Sequence, residues 1–580
     1  MDMINLKING MDVAVKAGST ILDAARQAGI KIPTLCYLRE INAIGACRIC
    51  VVEVKGARGL VTACVYPVEE GMEVLTNTER VLKARKTTLE LILSNHDKRC
   101  LSCNRNQNCE LQALSYEYGT DATKFEGENP DYKIDTSSPS IVRDNNKCIL
   151  CRRCVAVCKQ NQHVAVIGAN DRGFNTHVGT AFEKEITSSP CVNCGQCTAV
   201  CPTNALREKD DTDKVWAALN NKDIHVVVAP APAVRATLGE CFGDPVGTNV
   251  TGKLAAVLRR LGFTKVFDID LGADFTIMEE GTEFMQRLAD KDAALPMITS
   301  CSPGWVKFCE HYYPEFIPNL STCKSPQQMF GALIKTYYAE KMGIDPEKIY
   351  MVSVMPCTAK KFERTRPGQE ENGIKDIDVV ITTRELANMI KRAGIMWDIL
   401  PDEEFDAPMG MSTGAAAIFG TTGGVMEAAL RTVAEVITKK PLEKIEFDEV
   451  RGTEGIKEAT YKLDGNEVKV AVASGLANAS KLLDAVKSGE KKYHFIEIMA
   501  CPGGCVNGGG QPIQPADVHN NTDVKGIRAS ALYSEDERLT LRKSHENTVM
   551  QKIYEEYLGK PGSHKAHELF HTHYEERSKY

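Results

Sequence analysis

Residues 148–158 read CILCRRCVAVC, and residues 191–202 read CVNCGQCTAVCP. Each stretch is a CxxCxxCxxxC run, and Pro202 follows the last cysteine of the second. This spacing binds two 4Fe–4S clusters in an interlocked way, because the fourth cysteine of each run serves the cluster of the other. Cys148, Cys151, Cys154 and Cys201 are therefore expected to hold one cluster. Cys191, Cys194, Cys197 and Cys158 are expected to hold the second. Zinc at both repeats is the bland alternative, and the doubled run with its proline argues against it.

Upstream lie two further constellations. Cys36, Cys47, Cys50 and Cys64 place a CxxC pair between two single cysteines, a set that can wrap a 2Fe–2S cluster. Gly45-Ala46, just before Cys47, lets the backbone come close. His96, Cys100, Cys103 and Cys109 offer one nitrogen and three sulfurs. Spacing alone does not separate structural zinc from a 4Fe–4S cluster here; the position between two iron–sulfur regions favours the cluster. Around these sets, Ile4, Leu6 and Ile8 alternate up to Asn9-Gly10, and Val13 and Val15 alternate after it, which predicts a hairpin. Thr20 and Asp23 predict a capped helix to about Gln27. Residues 78–95 predict a helix with Leu82, Leu89, Leu91 and Ile92 apolar, and residues 120–140 a polar connector.

Composition sets the class. The chain has 580 residues, 43% hydrophobic and 25% charged, with formal net charge -7. Fifteen of its 22 cysteines precede residue 202, which favours metal ligation over scattered core thiols. Cys241, Cys309 and Cys323 default to the core. The acidic balance predicts no nucleic-acid binding. No apolar run reaches the roughly 20 residues of a membrane span, and MDMINLKING lacks the signal-peptide pattern. A cytoplasmic, membrane-free protein is expected. After residue 222, short apolar runs at Val226–Val228, Val266–Ile269 and Val379–Ile381 alternate with helical patterns, predicting α/β layers with buried strands.

Three segments of this last part carry chemistry: Thr299–Trp305 (TSCSPGW), Met355–Glu363 (MPCTAKKFE) and Glu497–Pro512 (EIMACPGGCVNGGGQP). Together they closely resemble the three signature motifs of the iron–iron hydrogenases, and the four cysteine constellations resemble that family's larger members. The resemblance implies a multidomain α/β chain: a β-grasp 2Fe–2S ferredoxin-like domain (1–79), a His/Cys 4Fe–4S module (80–120), a two-cluster ferredoxin-like domain (139–210) and a catalytic domain (222–580) whose C-terminal region is like the family's small subunit. It implies reversible formation of hydrogen from protons and electrons at an H-cluster, a 4Fe–4S cubane joined to a two-iron unit with CO, cyanide and azadithiolate. One 2Fe–2S and three accessory 4Fe–4S clusters would feed it.

By the same resemblance, Cys357, Cys501 and Cys505 match cubane ligands, with Cys505 bridging to the two-iron unit. Lys360 matches the lysine that hydrogen-bonds a cyanide, and Pro232, Ser325, Gln327, Met355 and Met499 match residues around the cluster. Cys301 matches the cysteine that passes protons to the bridging amine, and Glu280, Ser321, Glu283 and Arg287 match the rest of that path. Glu280 and Glu283, three apart, share a helix face. One departure stands out: the family has two adjacent cysteines where this chain has Cys301-Ser302. Either Ser302 ligates, or Cys301 does and the relay is altered, or that iron is otherwise satisfied.

The N-terminal 120 residues, notably GACRICVVEV (45–54) and NCELQ (108–112), resemble NADH-linked respiratory and hydrogenase subunits. That implies flavin- and NAD-binding partner subunits and/or ferredoxin, with electron bifurcation an option. No GxGxxG or Walker sequence is present, so nucleotides would bind other subunits. The alternatives are a stand-alone ferredoxin-dependent enzyme, or a hydrogen-sensing or non-catalytic iron–sulfur protein. His567–His571 (HELFH) matches the zincin HExxH pattern. No room remains downstream for a third ligand, so the histidine-rich tail is expected to be solvated.

Overall fold

The structure is a computed structural model, and it describes residues 2–125, 131–463 and 466–579. The N-terminal hairpin is built from β1 (Met3–Ile8) and β2 (Met11–Lys16). Helix α1 (Ile21–Gln27) follows, with a complete Thr20/Asp23 capping box. Strands β3 (Val51–Val54), β4 (Val61–Thr62) and β5 (Glu73–Leu75) finish a five-stranded sheet of order β2-β1-β5-β3-β4. β1 and β5 are parallel, so the chain crosses over between them through α1 and the cysteine loop.

Helix α2 (Glu79–Ser94) starts on the Thr78 hydroxyl, which accepts from Val81 N–H. Val81, Arg85, Leu89 and Leu93 form its buried stripe at a spacing of four, whereas Leu82 and Leu91 face out. The apolar tally of the sequence thus overstates this helix's inner face. A short α3 (Glu110–Glu117) packs beside it. Of the connector 120–140, residues 126–130 lie outside the described residues.

The catalytic part holds two four-stranded sheets, cut from strands β6 (His225–Pro230), β7 (Lys265–Val266), β8 (Met297–Ile298), β9 (Ile349–Met355), β10 (Val379–Thr382), β11 (Ile456–Leu463), β12 (Asn466–Ser474) and β13 (Phe495–Met499). The first sheet, β7-β6-β9-β10, is all parallel. Its central strands β6 and β9 read as continuous apolar runs because helices cover both faces. The second, β8-β13-β12-β11, is parallel but for the antiparallel pairing of β11 and β12. Of the run Val266–Ile269 only Val266 is strand, in the two-residue β7. Asp268 turns the chain instead, accepting from Asp270 N–H and from Arg235, and a 20-residue helix, α4 (Asp270–Ala289), begins there. Helices α5 (Pro303–Tyr312), α6 (Pro326–Leu333), α7 (Ala359–Glu363), α8 (Gly424–Thr438) and α9 (His564–Phe570) complete what is needed below. Among the described residues, no helix is long and apolar enough to cross a membrane.

Candidate active site and its cysteine wire

Four strands from the two sheets point their carboxyl ends at one cavity. After β6 comes Pro232, after β8 the pair Cys301-Ser302, after β9 Cys357, and after β13 Cys501. Open α/β sheets place ligands at such ends, where backbone groups are freed as strands stop. Cys505, Gln327, Met355, Met499 and Lys360 also line this cavity. Ser325 is the exception among the expected residues: its hydroxyl turns away and donates to Glu363, 2.9 Å.

Lys360 is the cavity's cation. Its Nζ donates to Cys301 O and to both oxygens of Glu363, each at 3.0 Å. Glu363 also accepts from Gln327, so the lysine is clamped from behind while one side stays on the cavity. Gln327 Oε1 is buried without a partner. An unpaired buried carbonyl in an apolar cavity wants a ligand to meet it. Burial pushes the Cys357 thiol up and the Cys505 thiol up to about 12. Thiols crowded in this way, all free of disulfides, suit a cluster of positive metal ions that would take them as thiolates.

Ser302 is the N-cap of α5, yet its side chain makes no cap bond. Its Oγ accepts from Ala500 N–H at 3.1 Å and lines the cavity beside Cys301. Glu280 on α4 is buried, with no hydrogen-bond partner for either oxygen, and burial followed by the charge of Glu283 pushes its carboxyl up to about 8. Glu280 in turn adds to the upward push on the Cys301 thiol. Ser321 Oγ donates to Glu283 at 2.9 Å, and Arg287 pairs with Glu283 at 2.6 Å.

The accessory cysteines gather as two separate cavities in the ferredoxin-like part. One is lined by Cys148, Cys151, Cys154 and Cys201, the other by Cys158, Cys191, Cys194 and Cys197. Local backbone explains how such short runs wrap a centre: Leu150, Arg152 and Asn193 take positive φ between the cysteines. Each left-handed non-glycine residue costs about 1–3 kcal/mol, strain that persists only where the surroundings over-determine it. In the first domain, Cys50 Sγ lies 3.3 Å from Cys64 Sγ, and Cys36 and Cys47 exchange N–H···S contacts of 3.4 and 3.5 Å. His96 is half-buried with Nδ1 buried and unpartnered, and burial pushes its imidazole down to about 4, so a neutral nitrogen is available on this segment.

These groups touch in a fork. Asn42 Nδ2 donates to both Cys36 O (2.8 Å) and Cys151 O (3.0 Å), joining the first domain to the Cys148 set. Asn204 Nδ2 donates to Cys103 Sγ (3.6 Å) and Arg105 to Cys201 O (3.2 Å), joining the His96 set to the same place. Cys194 lines both the second ferredoxin-like cavity and the catalytic cavity. At that seam Thr358 Oγ1 donates to Asn193 O (2.7 Å), and a Cβ on Gly509 would lie 2.3 Å from Cys194 O and 2.6 Å from Gly195 Cα. Only glycine permits this backbone approach.

Sequence reasoning missed Glu363 as the hub behind Lys360, and it misjudged the tail. His571 is not solvated: its Nδ1 meets Thr322 Oγ1 at 2.7 Å and its Nε2 meets Glu279 at 3.3 Å. His564 and His573 are exposed, as expected.

Comparison with known proteins agrees with this geometry. Residues 224–509 match the family described as iron only hydrogenase large subunit, C-terminal domain, and residues 522–577 match the iron hydrogenase small subunit. Residues 1–79 match a 2Fe-2S iron-sulfur cluster binding domain, 85–124 the NADH-ubiquinone oxidoreductase-G iron-sulfur binding region, and 147–205 a 4Fe-4S dicluster domain. The chain is 51% identical to the NADP-reducing hydrogenase subunit HndD of Solidesulfovibrio fructosivorans, over 100% of both chains. It is 48% identical to iron hydrogenase 1 of Clostridium pasteurianum, over 99% of this chain and 100% of that one. A solved FeFe-hydrogenase structure from Chlamydomonas reinhardtii superposes with a TM-score of 0.57 at 44% identity, covering 63% of this chain and 99% of that one. The chain belongs to the iron–iron hydrogenases, enzymes that interconvert protons, electrons and molecular hydrogen.

Proposed function

We infer that this chain is the catalytic subunit of an NAD(P)-linked hydrogenase, with flavin- and nicotinamide-binding partner subunits and ferredoxin as an additional electron partner. The observation that carries the catalytic reading is the meeting of Cys357, Cys501, Cys505 and the Cys301-Ser302 pair, from distant segments, on one apolar cavity with Lys360 as its cation. The full-length likeness to a relative named as NADP-reducing supports the nucleotide link. A cytoplasmic site follows from that link, since nicotinamide nucleotides are cytoplasmic.

In this reading Cys357, Cys501 and Cys505 would hold the H-cluster. When bound, the H-cluster supplies the redox centre at which hydrogen is made or split. Lys360 presents a donor to its anionic ligands, and the Glu363 carboxylate fixes that lysine in place. Pro232, Met355 and Met499 keep water out. Protons travel between Cys301 and solvent by Glu280, Ser321 and Glu283, each able to give and accept one. Arg287 holds Glu283 in position. The 16 accessory ligands would hold one 2Fe–2S and three 4Fe–4S clusters, which would supply electron carriage; the contacts at Asn42 and Asn204 join the Cys36 and His96 sets to the Cys148 set, and Cys194 joins the Cys191 set to the cavity.

The test is the anaerobically matured holoenzyme. Infrared bands of bound CO and cyanide should accompany hydrogen evolution from a reduced dye; absence of both would sink the enzyme reading. Affinity purification from the native cell should bring down flavin-containing subunits. A lone chain exchanging electrons with ferredoxin at full rate would defeat the complex. Ser302 favours a second reading, an altered or sensory centre. Ser302→Cys should then raise turnover sharply, whereas an active wild type that gains little would remove that reading.

A further inference from the structure

Cys323 and the second histidine of HELFH have no place in the cofactor site, yet the fold brings them together. They face each other across an isolated antiparallel bridge. Backbone bonds from Lys324 N–H to Phe570 O (2.6 Å) and from Thr572 N–H to Thr322 O (2.8 Å) fix both strands. From α4, Glu283 reaches the same point. One ligand atom each from Glu283, Cys323 and His571 lie within 4.8 Å of one another.

The surroundings favour a cation. Cys323 is fully buried and His571 nearly so. Glu283 reaches the thiol, Glu280 and Glu279 lie near enough to act on it, and burial above all pushes it well up. The present bonds are weak or exchangeable. Cys323 Sγ donates to Glu283 Oε2 at 3.8 Å, and the imidazole is held by the Thr322 hydroxyl and, at 3.3 Å, by Glu279. His567 stacks on His571 at 4.4 Å and is open to solvent, which gives an ion a way in. The two histidines of HELFH are thus stacked rather than aimed at a shared ion, and Glu568 is largely exposed. His571 works with other partners.

We propose that Glu283, Cys323 and His571 form a site for a borderline-soft divalent metal, zinc above all, whose binding closes the outer end of the proton path. One nitrogen, one sulfur and one oxygen are the donors zinc takes, with water as a fourth ligand. Thiol and imidazole disfavour magnesium and calcium, which want oxygen. Tetrahedral zinc sets its ligand atoms roughly 3.3–3.8 Å apart, so side-chain shifts suffice. On binding, the Cys323 S–H proton leaves to solvent, the thiolate coordinates, and no electron moves. Glu283 gives up its bond from Ser321 or Arg287, and the relay is cut there. The closure rests on the reading of Glu283 as the outer acid of that path; the metal site does not.

The experiment adds one equivalent of zinc sulfate to chelator-washed holoenzyme without oxygen and records the zinc X-ray absorption edge, which iron does not obscure. The expected shell is one sulfur at about 2.3 Å with nitrogen and oxygen at about 2.0 Å. His571→Gln and Cys323→Ala should each raise the zinc concentration for half-inhibition of hydrogen evolution by more than about tenfold. A shell of oxygen and nitrogen only, a shell of several sulfurs from a vacated cluster site, or unchanged zinc uptake in both variants would overturn the site. A one-sulfur shell with undiminished hydrogen evolution would keep the site and overturn the path through Glu283.

Discussion

Cys191, Cys194 and Cys197 sit on one loop and the short helix that follows it, whereas Cys301, Cys357 and Cys501 each follow the end of a different strand. The first arrangement is local: a few residues with positive φ wrap the centre, held in that strained backbone by what packs around them. The second exists only when two parallel sheets and the helices over them have assembled. The accessory sets are therefore built largely from local runs, and the catalytic cavity is a property of the whole body. Damage to the cavity should abolish chemistry and leave electron carriage intact; damage to a carrier should do the reverse.

Glu280→Gln is the largest expected effect that spares the clusters. It keeps the shape and removes the proton, so hydrogen evolution and uptake should both fall by about a hundredfold or more, with accessory-cluster paramagnetic spectra unchanged. An activity within a few-fold of wild type would mean protons take another route. His96→Ala strikes the other region. Dye-driven hydrogen evolution should persist, because the Cys36 branch still reaches Cys151 through Asn42, while the paramagnetic signal of one 4Fe–4S cluster disappears. Loss of all activity would break the fork into a single line.

The smallest effect concerns stability. Burial pushes the Asp274 carboxyl up to about 7, although Thr413 and Asn547 donate to it. The folded chain keeps a proton there that the unfolded chain releases above about pH 4. Stability from this group is present at low pH and is lost as pH rises from about 4 to about 7, at no more than about 1.4 kcal/mol per pH unit. In Asp274→Asn that slope should vanish from the thermal midpoints measured across the window. An unchanged slope would place the pH sensitivity in other buried acids, such as Asp376, pushed up to about 6, and Glu280, pushed up to about 8.

What the sequence made legible follows the same divide. The two CxxCxxCxxxC runs stood out because ligation there is a matter of spacing, the His96 set only by its place between two iron–sulfur regions, and the N-terminal hairpin and the cap at Thr20 are local as well. The strands β6 and β10 announced themselves by apolar runs. The cavity's motifs stood out only through family resemblance, since nothing local says that residues near 301, 357 and 501 will meet. The meeting of Cys323 and His571 was beyond reach for the same reason: their partners lie on other elements. Leu82 and Leu91 show the opposite failure, apolar residues that a helix simply turns outward.

The glycine seam at Gly195 and Gly509 has a meaning apart from packing. Electron tunnelling weakens exponentially with the gap to be crossed, so the thickness of insulation between two centres sets the current. At this contact the protein has stripped both walls to bare backbone. A single methyl added on either side would part the ferredoxin-like loop from the catalytic loop, a cost to be counted in turnover as well as in folding. The seam is a dimension held fixed for the sake of rate.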